Sequence, residues 1–116
     1  MKTYIATVSL AVGAFVAGCS SSVPPPNDQW SVAQVEVGRA QAGGAPSVPD
    51  AKLHLQLAEE DLQKAKSLIG SDNKRAGTLI VLASTEAQLA TTLAQAARAG
   101  DEAQQAQESL QKRGAQ

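Results

Sequence analysis

The chain has 116 residues, enough for one small domain at most. Ten Lys plus Arg stand against 11 Asp plus Glu, and a net charge of −1 offers no basic footprint for displacing counterions from a phosphate backbone, which argues against DNA or RNA binding. The single Cys excludes an intramolecular disulfide framework and a Cys-based zinc site, while one Trp, one Tyr and one Phe are too few to line a large aromatic cavity.

The chain opens on Met1-Lys2, and an uncharged stretch follows through Ile5, Val8, Leu10, Val12, Phe15 and Val16 to Gly18. This falls short of the ~20 apolar residues that span a bilayer. It has instead the basic start and short apolar middle of a secretory signal. The run ends in Val16-Ala17-Gly18-Cys19, which resembles the lipobox of bacterial lipoprotein precursors, with Val16 standing where Leu is commoner. The resemblance implies that residues 1–18 are removed as a signal peptide, that the Cys19 sulfur receives a diacylglycerol, and that the new amino terminus is acylated with a fatty acid such as palmitate. An incidental or buried thiol is the bland alternative for Cys19, but this Cys is the only one and it closes a signal-like run. Each buried CH₂ contributes ~0.8 kcal/mol, so one chain binds a membrane reversibly and three hold it permanently. Ser20 follows the Cys where Asp resembles an inner-membrane retention signal of Gram-negative lipoproteins, which implies the periplasmic side of the outer membrane.

Removing the first 18 of 116 residues leaves 98, with Trp30 the one remaining aromatic. Residues 19–26 read Cys-Ser-Ser-Ser-Val-Pro-Pro-Pro, a flexible, disordered tether with a proline run that favours polyproline II. Asn27 or Asp28 is positioned to N-cap a first helix, in which Trp30, Ala33, Val37 and Ala40 recur at helical spacing, and Gly43-Gly44-Ala45-Pro46 stops it. Ser47, Pro49 and Asp50 resemble a capping arrangement for a second helix. That helix shows Ala51, Leu55, Ala58, Leu62, Ala65 and Ile69 in the alternating spacing of helices packed side by side. Gly70-Ser71-Asp72-Asn73 makes a turn and a fresh cap.

The third helix, from about Asn73, carries two neighbouring stripes. Leu79, Leu82, Glu86, Leu89, Leu93 and Ala96 form the one expected to fill a core; Ala76, Ile80, Ala83, Ala87, Ala90, Ala94 and Ala97 form the one expected to let another backbone approach closely. With Glu86, this second set is the candidate partner face. Gly100-Asp101 is placed to interrupt the helix, with Asp101 and Gln104 forming a new cap; if instead the helix is continuous from Asn73 to Arg113 it has 41 residues, spans ~60 Å and overhangs the bundle by its last third, and Lys112, Arg113 and Gly114 are expected to fray in either case. After the leader there is no β pattern. The expected fold is all-α: a three-helix up-down-up bundle, or a long helical hairpin with a short N-terminal helix, with residues 27–100 as the domain and 101–116 as a helical or frayed extension. The up-down-up order brings Gly70 to Arg75 back toward the lipid and gathers Lys64, Lys66, Lys74 and Arg75 there. Beside simple solvation, these cations have anionic headgroups as an option.

No catalytic, cofactor or metal constellation emerges. His54 lies between Leu53 and Leu55 with no second imidazole, so it reads as a flank residue rather than a ligand. Glu59, Glu60 and Asp61 are consecutive and point different ways on a helix, and Glu60 with Lys64 is an ordinary i, i+4 pair. Glu86 interrupts a leucine stripe, either as a flank residue reaching water or a basic neighbour, or as a specificity device at a helix interface. There is no nucleophile elbow and no Gly-rich phosphate loop.

The lipobox, the Pro-containing turn into Asp50-Ala51-Lys52-Leu53, the alternation from Ala58 to Ala65, and the second arm Arg75-Ala76 through Ala83, Glu86-Ala87 and Ala90 together resemble a family of short bacterial lipoproteins, domain-of-unknown-function family 4398. The resemblance covers about residues 29 to 100. Relatives often carry a C-terminal peptidoglycan-binding domain like that of outer-membrane protein A, and this chain stops at Gln116 without one. The function expected is a non-enzymatic periplasmic interaction module, held to the bilayer through Cys19 and paired with a helical protein or a second copy. An alternative is an envelope tether associating with peptidoglycan, similar to the major murein lipoprotein, whose terminal Lys is crosslinked. Here the nearest Lys to the end is Lys112, which counts against covalent linkage. A third reading, a helical cofactor-binding domain of an enzyme, needs a reactive cluster that the residues do not supply.

Overall fold

The computed structural model describes residues 22–116, and these are helical apart from short turns and the N-terminal extended segment. Three helices, α1 (Asn27–Ala42), α2 (Pro49–Leu68) and α3 (Asn73–Gly114), are joined by a short 3-10 turn at Ala45–Ser47 and by the bend at 69–72. They run up, down and up. α2 and α3 pair as an antiparallel hairpin, and α1 lies more extensively on α3 than on α2.

The helix starts differ from the sequence expectation in ways that proline explains. Pro26, not Asn27 or Asp28, is the N-cap of α1; its carbonyl accepts from the Trp30 N–H at 3.0 Å, and Asp28 complements the helix dipole from within the first turn. Ser47 does not cap α2, because it closes the 3-10 turn through its N–H to the Gly44 carbonyl. Val48 is the cap instead, without a side-chain bond, and Pro49 with its preset φ starts the helix. At α3 the expected fresh cap is present: Asp72 Oδ1 accepts from the Arg75 N–H at 3.0 Å. The two reversals rest on glycines with positive φ, Gly44 at 93° and Gly70 at 91°.

The core is built mainly from small side chains. Among the described residues, eleven of the fifteen buried hydrophobic residues are alanines, and the largest fully buried side chain is Ile80. On α2, Ala51, Leu55, Ala58, Leu62 and Ala65 are buried in the expected alternation, and on α1 so are Ala33, Val37 and Ala40, with Trp30 half-buried beside them. On α3 the roles of the two stripes are the reverse of the expectation. Ala76, Ile80, Ala83, Ala87, Ala90 and Ala94 form the buried seam, whereas Leu82 is 45 % and Leu89 41 % exposed, and Leu79 and Leu93 are only half-buried. A methyl group at the contact lets two helix axes draw together toward the ~8 Å end of the packing range, and close approach pushes the bulkier leucine row to the flank.

α3 is continuous through Gly100, so of the two readings of that glycine the unbroken helix is the one present, and the Asp101–Gln104 cap is absent. A lone glycine costs about 1 kcal/mol relative to Ala in a helix, and its neighbours Ala97, Arg98, Ala99, Glu102 and Ala103 offset that cost. The helix therefore has 42 residues and a length of ~63 Å at 1.5 Å per residue, against 20 residues and ~30 Å for α2. From Arg98 onward every residue of α3 is exposed, and this part overhangs the bundle.

Candidate functional site

Four polar ties, none of which has a periodic signature in the sequence, fix how the helices sit on one another. Gln41 Nε2 at the end of α1 donates to Glu59 Oε1 of α2 at 2.7 Å. Arg98 of α3 reaches the Gly43 carbonyl at 3.2 Å, pinning the α1–α2 connection where the bundle ends. At the opposite end, Asn73 Nδ2 donates to the Val23 carbonyl at 2.7 Å, and Asn73 Oδ1 accepts from the Gly70 N–H at 2.7 Å. A carbonyl only accepts and an amide N–H only donates, so both partners require the same orientation of the Asn73 amide. The described part of the tether, residues 22–26, is therefore held against the α2–α3 turn rather than loose.

The fourth tie joins two residues singled out from the sequence. His54 Nδ1 and Glu86 Oε2 are 2.5 Å apart, linking α2 to α3 across their shared flank. A carboxylate only accepts, so the ring nitrogen is the donor. Of the two sequence readings of Glu86, the structure selects the basic neighbour, and His54 is that neighbour. The pair is about three-quarters buried, with side-chain exposures of 27 and 22 %. Leu82 and Leu89 lie four before and three after Glu86, and Leu57 three after His54, all exposed on the same side of their helices. Glu60 meets Lys64 at 3.7 Å as expected, and Asp61, almost fully buried on that flank, meets the same ammonium at 3.4 Å. Sequence reasoning missed the burial of Asp61, which lies two helical turns along the same flank from His54.

The partner face expected from the sequence needs correction. Ala76, Ile80, Ala83, Ala87, Ala90 and Ala94 are buried within the chain's own bundle, Ala97 lies at its edge, and Glu86 is taken by His54. The tolerance for close approach that marked these residues is used by α1 and α2, so no second protein has access to them. Surface that does remain open lies on the leucine flank and on the overhang with Ala103, Ala106 and Leu110. Val16, Ala17, Gly18 and Cys19 lie outside the described residues. Among the described residues no three His, Cys, Asp or Glu side chains gather as a metal site, and no helix is long and apolar enough to cross a membrane.

A long helical hairpin with an added N-terminal helix and an alanine seam is the arrangement to which the comparison with known families applies. The model of the family described as "Domain of unknown function (DUF4398)" matches residues 28–110. The chain belongs to the DUF4398 family. The match begins in the first turn of α1 and ends in the overhang, so it takes in the bundle and most of the protruding helix. No curated protein and no solved structure matches the chain.

Proposed function

We propose that this DUF4398 chain is a cell-envelope lipoprotein, fixed by acylated Cys19 to the periplasmic leaflet of an outer membrane, whose helical body is a non-enzymatic interaction or structural module. The observation that carries the reading is Val16-Ala17-Gly18-Cys19 at the end of a short apolar signal, followed by Ser20. The shape of the body supports the second half of it. The core of the body is built mainly from alanines packed between its own helices. α3, by contrast, runs on past Arg98 for 16 residues, ~24 Å, offering a helical partner or a second copy the exposed side chains of Ala103, Ala106 and Leu110. The reach of this helix is also the observation that favours the second reading, a structural tether that associates with peptidoglycan.

Growing cells with a clickable fatty acid and separating their membranes on a density gradient tests the proposal. The parent protein takes up label and bands with the outer membrane, and Cys19→Ala stays unlabelled with its leader attached. Label on Cys19→Ala refutes the anchor, and labelled parent protein in the inner-membrane band refutes the location. Mass spectrometry of muramidase-digested wall separates the two readings of the body, because a peptide of this chain carrying a muropeptide establishes the wall tether.

A further inference from the structure

The clamp between Asn73 and Val23 fixes which end of the bundle faces an anchor on Cys19. Val23 and Asn73 are 50 residues apart in the chain, yet the side chain of one holds the backbone of the other at 2.7 Å. Asn27 N–H to Pro25 C=O at 2.9 Å and Trp30 N–H to Pro26 C=O at 3.0 Å continue the attachment into α1. The clamped Val23 is then only four positions on from Cys19, a leash of ~13–14 Å even when fully extended. Without the clamp the free leash runs to the start of α1 at Asn27, eight residues and ~26–29 Å, long enough for the bundle to turn over.

We propose that the α2–α3 turn is the lipid-facing end of the molecule, pressed by this short leash onto an anionic bilayer surface, with α3 directed away from it. The inference rests on acylation of Cys19. Lys74 and Arg75, both exposed, occupy this end together with Lys66 in the last turn of α2, and none of the three has an ion-pair partner among the described residues. The carboxylates at the same end are Asp28 and Asp72, and Asp72 is engaged in capping α3. Three cations against two carboxylates make the end weakly positive, which fits phosphate-bearing headgroups and falls off within a Debye length. The far end of α3 is then ~63 Å along the helix from the turn, and the overhang lies where a partner in the periplasm meets it before the bundle does.

The test uses the chain from Cys19 to Gln116, coupled through its only thiol to a maleimide lipid in vesicles of phosphatidylethanolamine and phosphatidylglycerol, with a photoreactive benzoylphenylalanine at exposed position 71 or 110. Because the anchor is imposed chemically, a failure here is distinct from a failure of acylation in cells, which the mass of the native N-terminal peptide reads. Position 71 is expected to crosslink lipid at least tenfold more than position 110. Asn73→Asp keeps the acceptor for the Gly70 N–H and removes the donor to Val23, so it lengthens the leash and brings the ratio toward one, in phosphatidylcholine vesicles as well, where the added carboxylate meets no anionic lipid. Circular dichroism verifies that each variant is folded. Equal or reversed crosslinking in the parent, or a ratio unchanged in folded Asn73→Asp, overturns the inference.

Discussion

Replacing Ala87 by Leu places three more carbon atoms on a side chain that is 0 % exposed, in the middle of a seam where Ala83 and Ala90, on either side, are also 0 % exposed. The helix backbones face each other across methyl groups, so α2 or α1 has to move away from α3 to receive them. Overpacking of this kind costs ~1–3 kcal/mol. For a bundle of this size, each kcal/mol lowers the melting temperature by about 4–8 °C, so a cost of ~2 kcal/mol appears as a drop of ~8–16 °C. Ala90→Leu acts at the same seam and is expected in the same range. Ala103→Leu is the control: it lies on the same helix in the exposed overhang, Leu is nearly as good a helix former as Ala, and the change stays within ~0.5 kcal/mol. Thermal melts followed by far-ultraviolet circular dichroism separate the cases. If all three variants melt with the parent, the alanine row faces water and the register of α3 given above is wrong.

Three further experiments probe the remaining features. Gly100→Ala meets nothing within 4 Å of the added Cβ and lies in unbroken helix, so it is expected to stabilise α3 by ~0.5–1 kcal/mol and raise its helix signal; a loss of helicity contradicts the continuous α3. Asp72→Ala removes the side-chain acceptor of the Arg75 N–H and is expected to cost ~1 kcal/mol in urea unfolding, whereas a neutral result means the cap carries no weight. A double-mutant cycle on His54→Gln and Glu86→Gln, read by urea unfolding at pH 7, is expected to give a coupling of ~1–2 kcal/mol for a hydrogen bond to a charged group in a largely covered site; strictly additive effects remove the pair from the account.

The positions of the helices were legible because periodicity and glycine punctuation are local signals. Trp30 to Ala40, Ala51 to Ala65, and Ala76 to Ala94 each write a face in spacings of three and four, and Gly43-Gly44 and Gly70 stand at the two reversals. Which of two adjacent rows on α3 turns inward is not a local property. Hydrophobicity favours Leu82 and Leu89, but the interhelical distance decides, and that distance is set by the alanines of all three helices together. The bonds Asn73 to Val23 and Arg98 to Gly43 span 50 and 55 residues and exist only once the bundle has formed. The pairing of His54 with Glu86 belongs to the same class, since each residue looked isolated on its own helix. Ser47 misled for a different reason: a 3-10 turn uses its backbone before α2 begins, and Pro49, which has no N–H, needs no acceptor at the start of the helix.

Intact mass of the protein extracted from cell membranes tests the central claim most directly, because it reads the first residue and the acyl chains at once. The expected species is a chain running from Cys19 to Gln116 with its mass increased by a diacylglycerol and one further fatty acid. A membrane-extracted chain that still begins at Met1, or one that begins at Cys19 with no added mass, contradicts it.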